Sequence, residues 1–274
     1  MVMLIGILVT ATAVTAGPAT WRSRLPEHGR VAGTASISTV HGKRLLVLWV
    51  ANATERRPEA AEKDDALTCP ELAMGRHYLQ GRTRLSLVND SRTGFRDSVS
   101  LETNPEEPDL NIPLTTAQTL FDDAERRNWC SCDSSSAPPL AIDQPLPGVP
   151  KSKNKVMRMR DINGDGWANE FALYATESCS DIFTTIAGYS ERQDKVIWYT
   201  FHLQVTDNGR QVGTQDSHWI PVGFLNVNPD HGIRRFKWSY TGDPHEYHYE
   251  VGYDAAREQF VGTETIIQTP QSSP

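Results

Sequence analysis

The chain has 274 residues, 38% of them hydrophobic, which is enough for one large domain or two small ones to bury a core. Lys and Arg number 27 against 34 Asp and Glu, and no basic strip forms, so the formal charge of −7 argues against binding nucleic acid or an anionic membrane. No phosphate-binding loop or dinucleotide fingerprint occurs, and Ser190 in Gly188-Tyr-Ser-Glu-Arg192 lacks the second glycine of a nucleophile elbow.

Residues 1–16 are apolar and uncharged, and Val14-Thr-Ala16 sets small residues at −3 and −1 before Gly17. This predicts a secretory signal over 1–16 and a secreted or periplasmic protein. The segment is shorter than the ~20 residues that cross a bilayer, so no transmembrane anchor is expected after signal removal. Residues 31–40 alternate, 43–51 form an apolar run, and His41-Gly42 between them predicts a hairpin turn. The acidic, alanine-containing residues 54–67 read as a solvated loop or short helix. A second hairpin is expected where 82–88 and 95–102 flank the turn-rich 89–94. Asn52-Ala-Thr54 and Asn89-Asp-Ser91 fit the N-glycosylation pattern, which matters only in a eukaryotic secretory route.

Residues 115–127 carry a threonine cap, early carboxylates and late arginines, which predicts one short helix. Pro138, Pro139, Pro145, Pro147 and Pro150 then make 134–153 an extended connector. It divides a β-rich part over 17–133 from a C-terminal β part over 154–269. Cys69, Cys130, Cys132 and Cys179 are an even set, consistent with two disulfides in an exported chain. A bond between Cys130 and Cys132 would be strained, which leaves the two pairings that join each of them to Cys69 or Cys179. A zinc site is the weaker reading, since the C-x₂-C spacing is absent.

Farther on, Ile197, Tyr199, Phe201, Leu203 and Val205 predict one face of a strand. Phe236, Trp238 and Tyr240 alternate, 241–244 turns, and Tyr247, Tyr249, Val251 and Tyr253 return as an aromatic hairpin. The predicted fold class is mainly β, with antiparallel sheets in a sandwich-like or meander arrangement, one short helix and a Pro-rich connector. No periodic self-similarity supports a propeller.

The most specific chemical pattern is Asp161-Ile-Asn-Gly-Asp-Gly-Trp-Ala-Asn-Glu170. Oxygen-bearing side chains recur at positions 1, 3, 5 and 9, and Gly164 and Gly166 permit sharp turns. That spacing predicts a Ca²⁺ loop with side-chain ligands Asp161, Asn163 and Asp165, the carbonyl of Trp167, and Asn169 directly or through water. The twelfth position, where an EF-hand carries a bidentate glutamate, is Ala172. The flanks 155–160 and 171–175 read as strands, so the expected unit is strand, calcium turn, strand.

In this form the segment resembles the D-x-N-G-D-G-x-x-D loops of FG-GAP and VCBS-type repeats of extracellular β-proteins, with Asn169 in place of the usual final aspartate. The wider stretch from 160 to 194, including Phe171-Ala-Leu-Tyr and Gly188-Tyr-Ser-Glu-Arg-Gln-Asp194, is similar to uncharacterised secreted bacterial proteins carrying a single such loop. The resemblance implies export and a metal, and no reaction.

Rival chemistry is thinner. In His245-Glu-Tyr-His248 the two histidines lie three apart, on opposite faces of a strand, which does not suit a zinc pair. His218 and His231 predict ordinary surface hydrogen bonding. Trp198, Trp219 and Trp238 are candidates for a carbohydrate-stacking platform, against core packing as the commoner use of strand tryptophans. The functional expectation is an exported, calcium-stabilised structural or binding module with a carbohydrate or cell-envelope partner and no catalytic residues assigned. The alternative is a secreted, glycan-directed hydrolase with a structural calcium.

Overall fold

The structure is a computed structural model that describes residues 21–25, 29–56, 78–89, 94–102, 112–113, 156–176, 182–240 and 242–268. The predicted signal segment, the helix at 115–127, the connector at 134–153 and all four cysteines lie outside these residues, as does all but the start of the acidic stretch. What is described is mainly β, as the alternation predicts.

The first sheet contains β1 (Arg30–Thr39), β2 (Gly42–Arg56), β3 (Tyr78–Val88) and β4 (Phe95–Ser100) in that order, with β5 (Ile112–Pro113) also on β3. Both hairpins read from the sequence are present: Thr39 faces Gly42 across the first, and Leu85 faces Val99 in the second. The apolar run in β2 has a simple cause, because both of its faces are covered. Leu46, Leu48 and Val50 turn into one core, while Val47, Trp49 and Ala51 turn outward under Trp21 and Phe95. A strand buried on both sides needs no alternation.

The second sheet is the four-stranded set β6 (Glu170–Thr176), β7 (Ile182–Ser190), β8 (Lys195–Trp198) and β11 (Ile220–Pro221), with β7 at its centre. The third runs β10 (Arg210–Ser217), β9 (Phe201–Asp207), β14 (Gln259–Gln268), β13 (His245–Asp254), β12 (Ile233–Trp238). All pairings are antiparallel except β9 with β14, which is parallel. Among the described residues the one α-helix, α1 (Gly223–Asn226), is a single turn.

The second sheet is the middle layer, because the period-two alternation sends its side chains into two different cores. Phe171, Leu173, Ala187, Tyr189 and Val196 join the first sheet's Leu46, Leu48 and Leu85. Ile186, Ile197 and Ile220 join Phe201, Phe236, Tyr249 and Phe260 of the third. Residues on both sides of the proline-rich segment therefore meet in the first core.

Two sequence expectations need correction. The predicted single strand through Ile197 and Val205 is two strands in two sheets, broken at Tyr199 and Thr200. Both Ile197 and Phe201 still reach the second core, because the chain crosses from one layer to the next while keeping the same core between them. Of the strand expected over 155–160, the described residues 156–160 carry one bridge, Arg160 with Glu170.

The β7–β8 turn ties the layers together. Asp194 accepts from Arg44 of β2 at 3.1 Å, Arg96 of β4 at 2.5 Å and the Tyr189 hydroxyl at 2.5 Å. On the other side, Glu258 of the β13–β14 turn accepts from Ser190, Gln193 and, at 3.0 Å, Arg192.

Candidate metal centre

The loop over 161–169 is closed at its base by a reciprocal backbone pair. Arg160 N–H donates to the Glu170 carbonyl at 2.6 Å, and Glu170 N–H donates to the Arg160 carbonyl at 3.1 Å. Glu170 opens β6, so the loop is sealed directly onto the middle sheet. Gly188 of β7 lies against this junction, where a Cβ would collide with the carbonyl oxygen of Asn169 and with Glu170 Cα. Only glycine allows so close an approach.

Within the loop the predicted side chains fold onto its own backbone. Asp161 accepts from Gly164 N–H at 2.8 Å and Gly166 N–H at 3.0 Å, one through each oxygen. Asn163 Oδ1 accepts from Asp165 N–H at 3.0 Å, and Asp165 Oδ1 from Trp167 N–H at 2.8 Å. Gly164 and Gly166 sit at φ of +80° and +92°, where a side chain would be strained. Each accepting oxygen uses one lone pair for an amide and keeps another. The loop thus gathers Asp161, Asn163 and Asp165 in a coil of alternating side-chain acceptors. Trp167, the nominated carbonyl donor, stands at its exposed side.

Asn169 is placed differently. It is 1% exposed, its carbonyl accepts from Tyr189 N–H at 3.1 Å, and Nδ2 donates to Glu191 Oε1 at 2.7 Å. A carboxylate only accepts, so this contact fixes which end of the amide faces it. Oδ1 is then the branch without a hydrogen bond among the described residues.

Sequence reasoning missed Glu170 as a participant. Its side chain is fully buried beneath the loop, accepting from Ile162 N–H at 3.0 Å and from Asn163 Nδ2 at 3.4 Å, with the Tyr199 hydroxyl also at 3.4 Å. Burial pushes its carboxyl up to about 8; the Ile162 amide works against this and the charge of Asp165 adds to it. The available signal was its place as the first residue of β6, with the opposite parity to Phe171 and Leu173. Arg234 of β12 supplies a cation nearby. Its Nη1 donates to the Ile162 carbonyl at 3.3 Å, and its guanidinium lies 4.8 Å over the Phe224 ring.

The donor set is entirely oxygen, which suits a hard cation and not zinc. Among the described residues no three His, Cys, Asp or Glu side chains are drawn together as a metal group. The loop instead combines the Asp161 and Asp165 carboxylates with the Asn163 amide oxygen.

The other nominated side chains are engaged elsewhere. His245 Nδ1 pairs with Asp243 at 2.6 Å and His248 with Glu246, so the two do not converge. His218 is half-buried, stacked on Trp198 with centroids 3.6 Å apart, and its Nδ1–H donates to the Tyr199 carbonyl at 2.9 Å; burial lowers its pKa. That corrects the expectation of a surface histidine. His231 is exposed as expected. Trp198 has one face covered by His218, Trp219 packs on the first core and Trp238 on the second. The three do not make an exposed row. Among the described residues the exposed large aromatic side chain is Trp167, at the loop itself.

Comparison with protein-family models, with curated proteins and with solved structures finds no match to this chain.

Proposed function

We propose that this chain is an exported, β-rich structural or binding module whose 161–169 loop holds a calcium ion, with a carbohydrate or cell-envelope component as its partner. Asp161, Asn163, Asp165, the Trp167 carbonyl and Asn169 are the ligands. The observation that carries the reading is the gathering of Asp161, Asn163 and Asp165 within a loop sealed at Arg160 and Glu170. Calcium there neutralises two carboxylates on one short coil and ties the coil to the middle sheet. An unfolded loop cannot assemble these donors, so binding free energy adds to folding free energy. The apolar residues 1–16 support export.

The test is thermal unfolding of the full chain in calcium chloride and in excess chelator, with Asp165→Ala alongside. A loop of this type with a dissociation constant of ~1 mM gains about 1.4 kcal/mol at ~10 mM calcium, a shift of a few degrees. The gain should vanish in Asp165→Ala. Identical melting with calcium and with chelator would remove the basis for the proposal.

A further inference from the structure

Glu191, the first residue of the β7–β8 turn, has its two carboxylate oxygens committed to two different parts of the molecule. Oε1 accepts from Asn169 Nδ2 at 2.7 Å, and Oε2 accepts from Val40 N–H at 3.0 Å, at the tip of the β1–β2 hairpin. The Glu191 carbonyl also accepts from His41 Nε2–H at 2.8 Å in that tip. One residue thus joins the loop to a turn 151 positions before it in the chain.

We propose that Glu191 is a positioning residue for the cation loop and couples it to the tip of the first hairpin; this rests on the reading of 161–169 as a calcium site. The chemistry is that of an outer partner orienting an inner ligand. By taking Nδ2, Glu191 leaves Oδ1 as the free end of a buried amide, which is the only end a cation can use. Fixing Oδ1 on a cation in turn holds Nδ2, and so Glu191, in the geometry that accepts the Val40 amide. Coupling between two sites is reciprocal, so ion binding tightens the hairpin tip and the intact tip tightens ion binding.

The same contact favours an amide over a carboxylate at position 169. A carboxylate there would face the carboxylate of Glu191 with no proton between them, and like charges at that range repel. The polarity of the pair is reversible in a specific way. Glu191→Gln alone leaves one acceptor for two donors, Asn169 and Val40. When Asn169→Asp is added, however, the introduced amide nitrogen donates to the introduced carboxylate, and the amide oxygen still serves Val40.

The experiment uses the full chain, with calcium chloride as the only ligand, in wild type, Glu191→Gln, Asn169→Asp and the double variant. Calorimetric titration reads affinity, chelator melts read the ion-free fold, and amide hydrogen exchange reads Val40. In wild type, calcium should slow Val40 exchange several-fold. Glu191→Gln should weaken calcium about threefold to tenfold, the worth of one hydrogen bond, and abolish that slowing. Asn169→Asp should melt below wild type in chelator, and the double variant should recover both the melt and the slowing. If wild type binds calcium while Val40 exchange ignores it, or if the double variant melts no higher than Asn169→Asp, the coupling is overturned and the site stands. If wild type takes up no calcium, both readings fall together. The wild-type exchange measurement needs no variant to fold.

Discussion

The two cores on either side of the middle sheet are made differently. The one facing the first sheet is largely aliphatic, with Leu46, Leu48, Leu79, Leu85 and Leu87 fully buried, and its polar closure lies at the margin, where Arg44 and Arg96 hold Asp194. The one facing the third sheet is aromatic. Phe201 stacks on Phe260 at 5.0 Å and meets Phe224 edge-on at 5.3 Å, while Phe236 stacks on Tyr249 at 4.7 Å. Tyrosine brings hydroxyls inside, and these accompany buried carboxyls: Glu170 beside Tyr199, and Glu264 beside Tyr249. The lesson is that the aromatic core sets tyrosine hydroxyls beside buried acids, whereas the first core spends its Tyr189 hydroxyl on the ion-paired Asp194 at its margin. The candidate cation loop grows from the strand end that enters the second.

The largest effects should come from truncation in either core. Leu48→Ala in the first should cost about 2–5 kcal/mol, and Phe201→Ala in the second about 3–5 kcal/mol, since each leaves a cavity among fully buried neighbours. Because the middle sheet contributes to both cores, and the 190–194 turn pins both outer layers, the two losses should appear in one cooperative transition. Denaturant melts followed by two probes check this. Two separable transitions, each sensitive to one variant, would mean that the cores are independent and the comparison is one of two units.

The next effect should distinguish the cores by its sign with pH. Burial alone would raise the Asp194 carboxyl, but hydrogen bonds from Arg44, Tyr189 and Arg96 outweigh it and hold it at about 2. A carboxyl depressed in the folded state stabilises above its unfolded value of ~4, and that contribution is lost as pH falls toward about 2. Asp194→Asn should therefore cost about 2 kcal/mol at neutral pH and progressively less in acid. Glu264 behaves oppositely. Burial raises its carboxyl, against the hydrogen bond from Tyr249, so its contribution is complete below the unfolded value and is lost as pH rises through the folded one. Wild type should lose stability with rising pH relative to Glu264→Gln, which cannot ionise. Stability curves of equal slope for the two proteins would show that Glu264 is not held in a low-dielectric core.

These contrasts were only partly legible in the sequence. The first hairpin was, because His41-Gly42 separates two runs of strand residues, and so was the aromatic hairpin of β12 and β13, whose inward Phe236, Tyr249 and Val251 keep strict alternation. The turn at 161–167 was legible through the spacing of its Asp, Asn and Gly residues. The partition of strands among three sheets was not, because alternation tells which side chains share a face and not which sheet that face belongs to. The break at Tyr199 and Thr200 is the clearest case: parity continues across it although the sheet changes. Strand β10 was invisible because its residues are nearly all exposed, leaving no apolar pattern to read. Glu170, Glu191 and Asp194 carried no assigned role in the sequence, and for the last two the partners that define their roles lie 151 and 150 positions away.

The smallest expected effect tests the outer face of the third sheet, the side turned away from both cores. Arg235 pairs with Glu250 at 3.0 Å and Lys237 with Glu246 at 3.0 Å, across β12 and β13, with His202 and Asp216 at 2.7 Å across β9 and β10. Arg235 and Glu250 side chains are 50% and 57% exposed, so water screens the pair and holding two long side chains together costs entropy. A double-mutant cycle of Arg235→Ala and Glu250→Ala should give a coupling of about 0.2–1 kcal/mol, falling further in salt. A larger, salt-insensitive coupling would imply that this face is shielded from solvent in the intact protein. The contrast would then be between three buried layers and not between two cores beneath a solvated face.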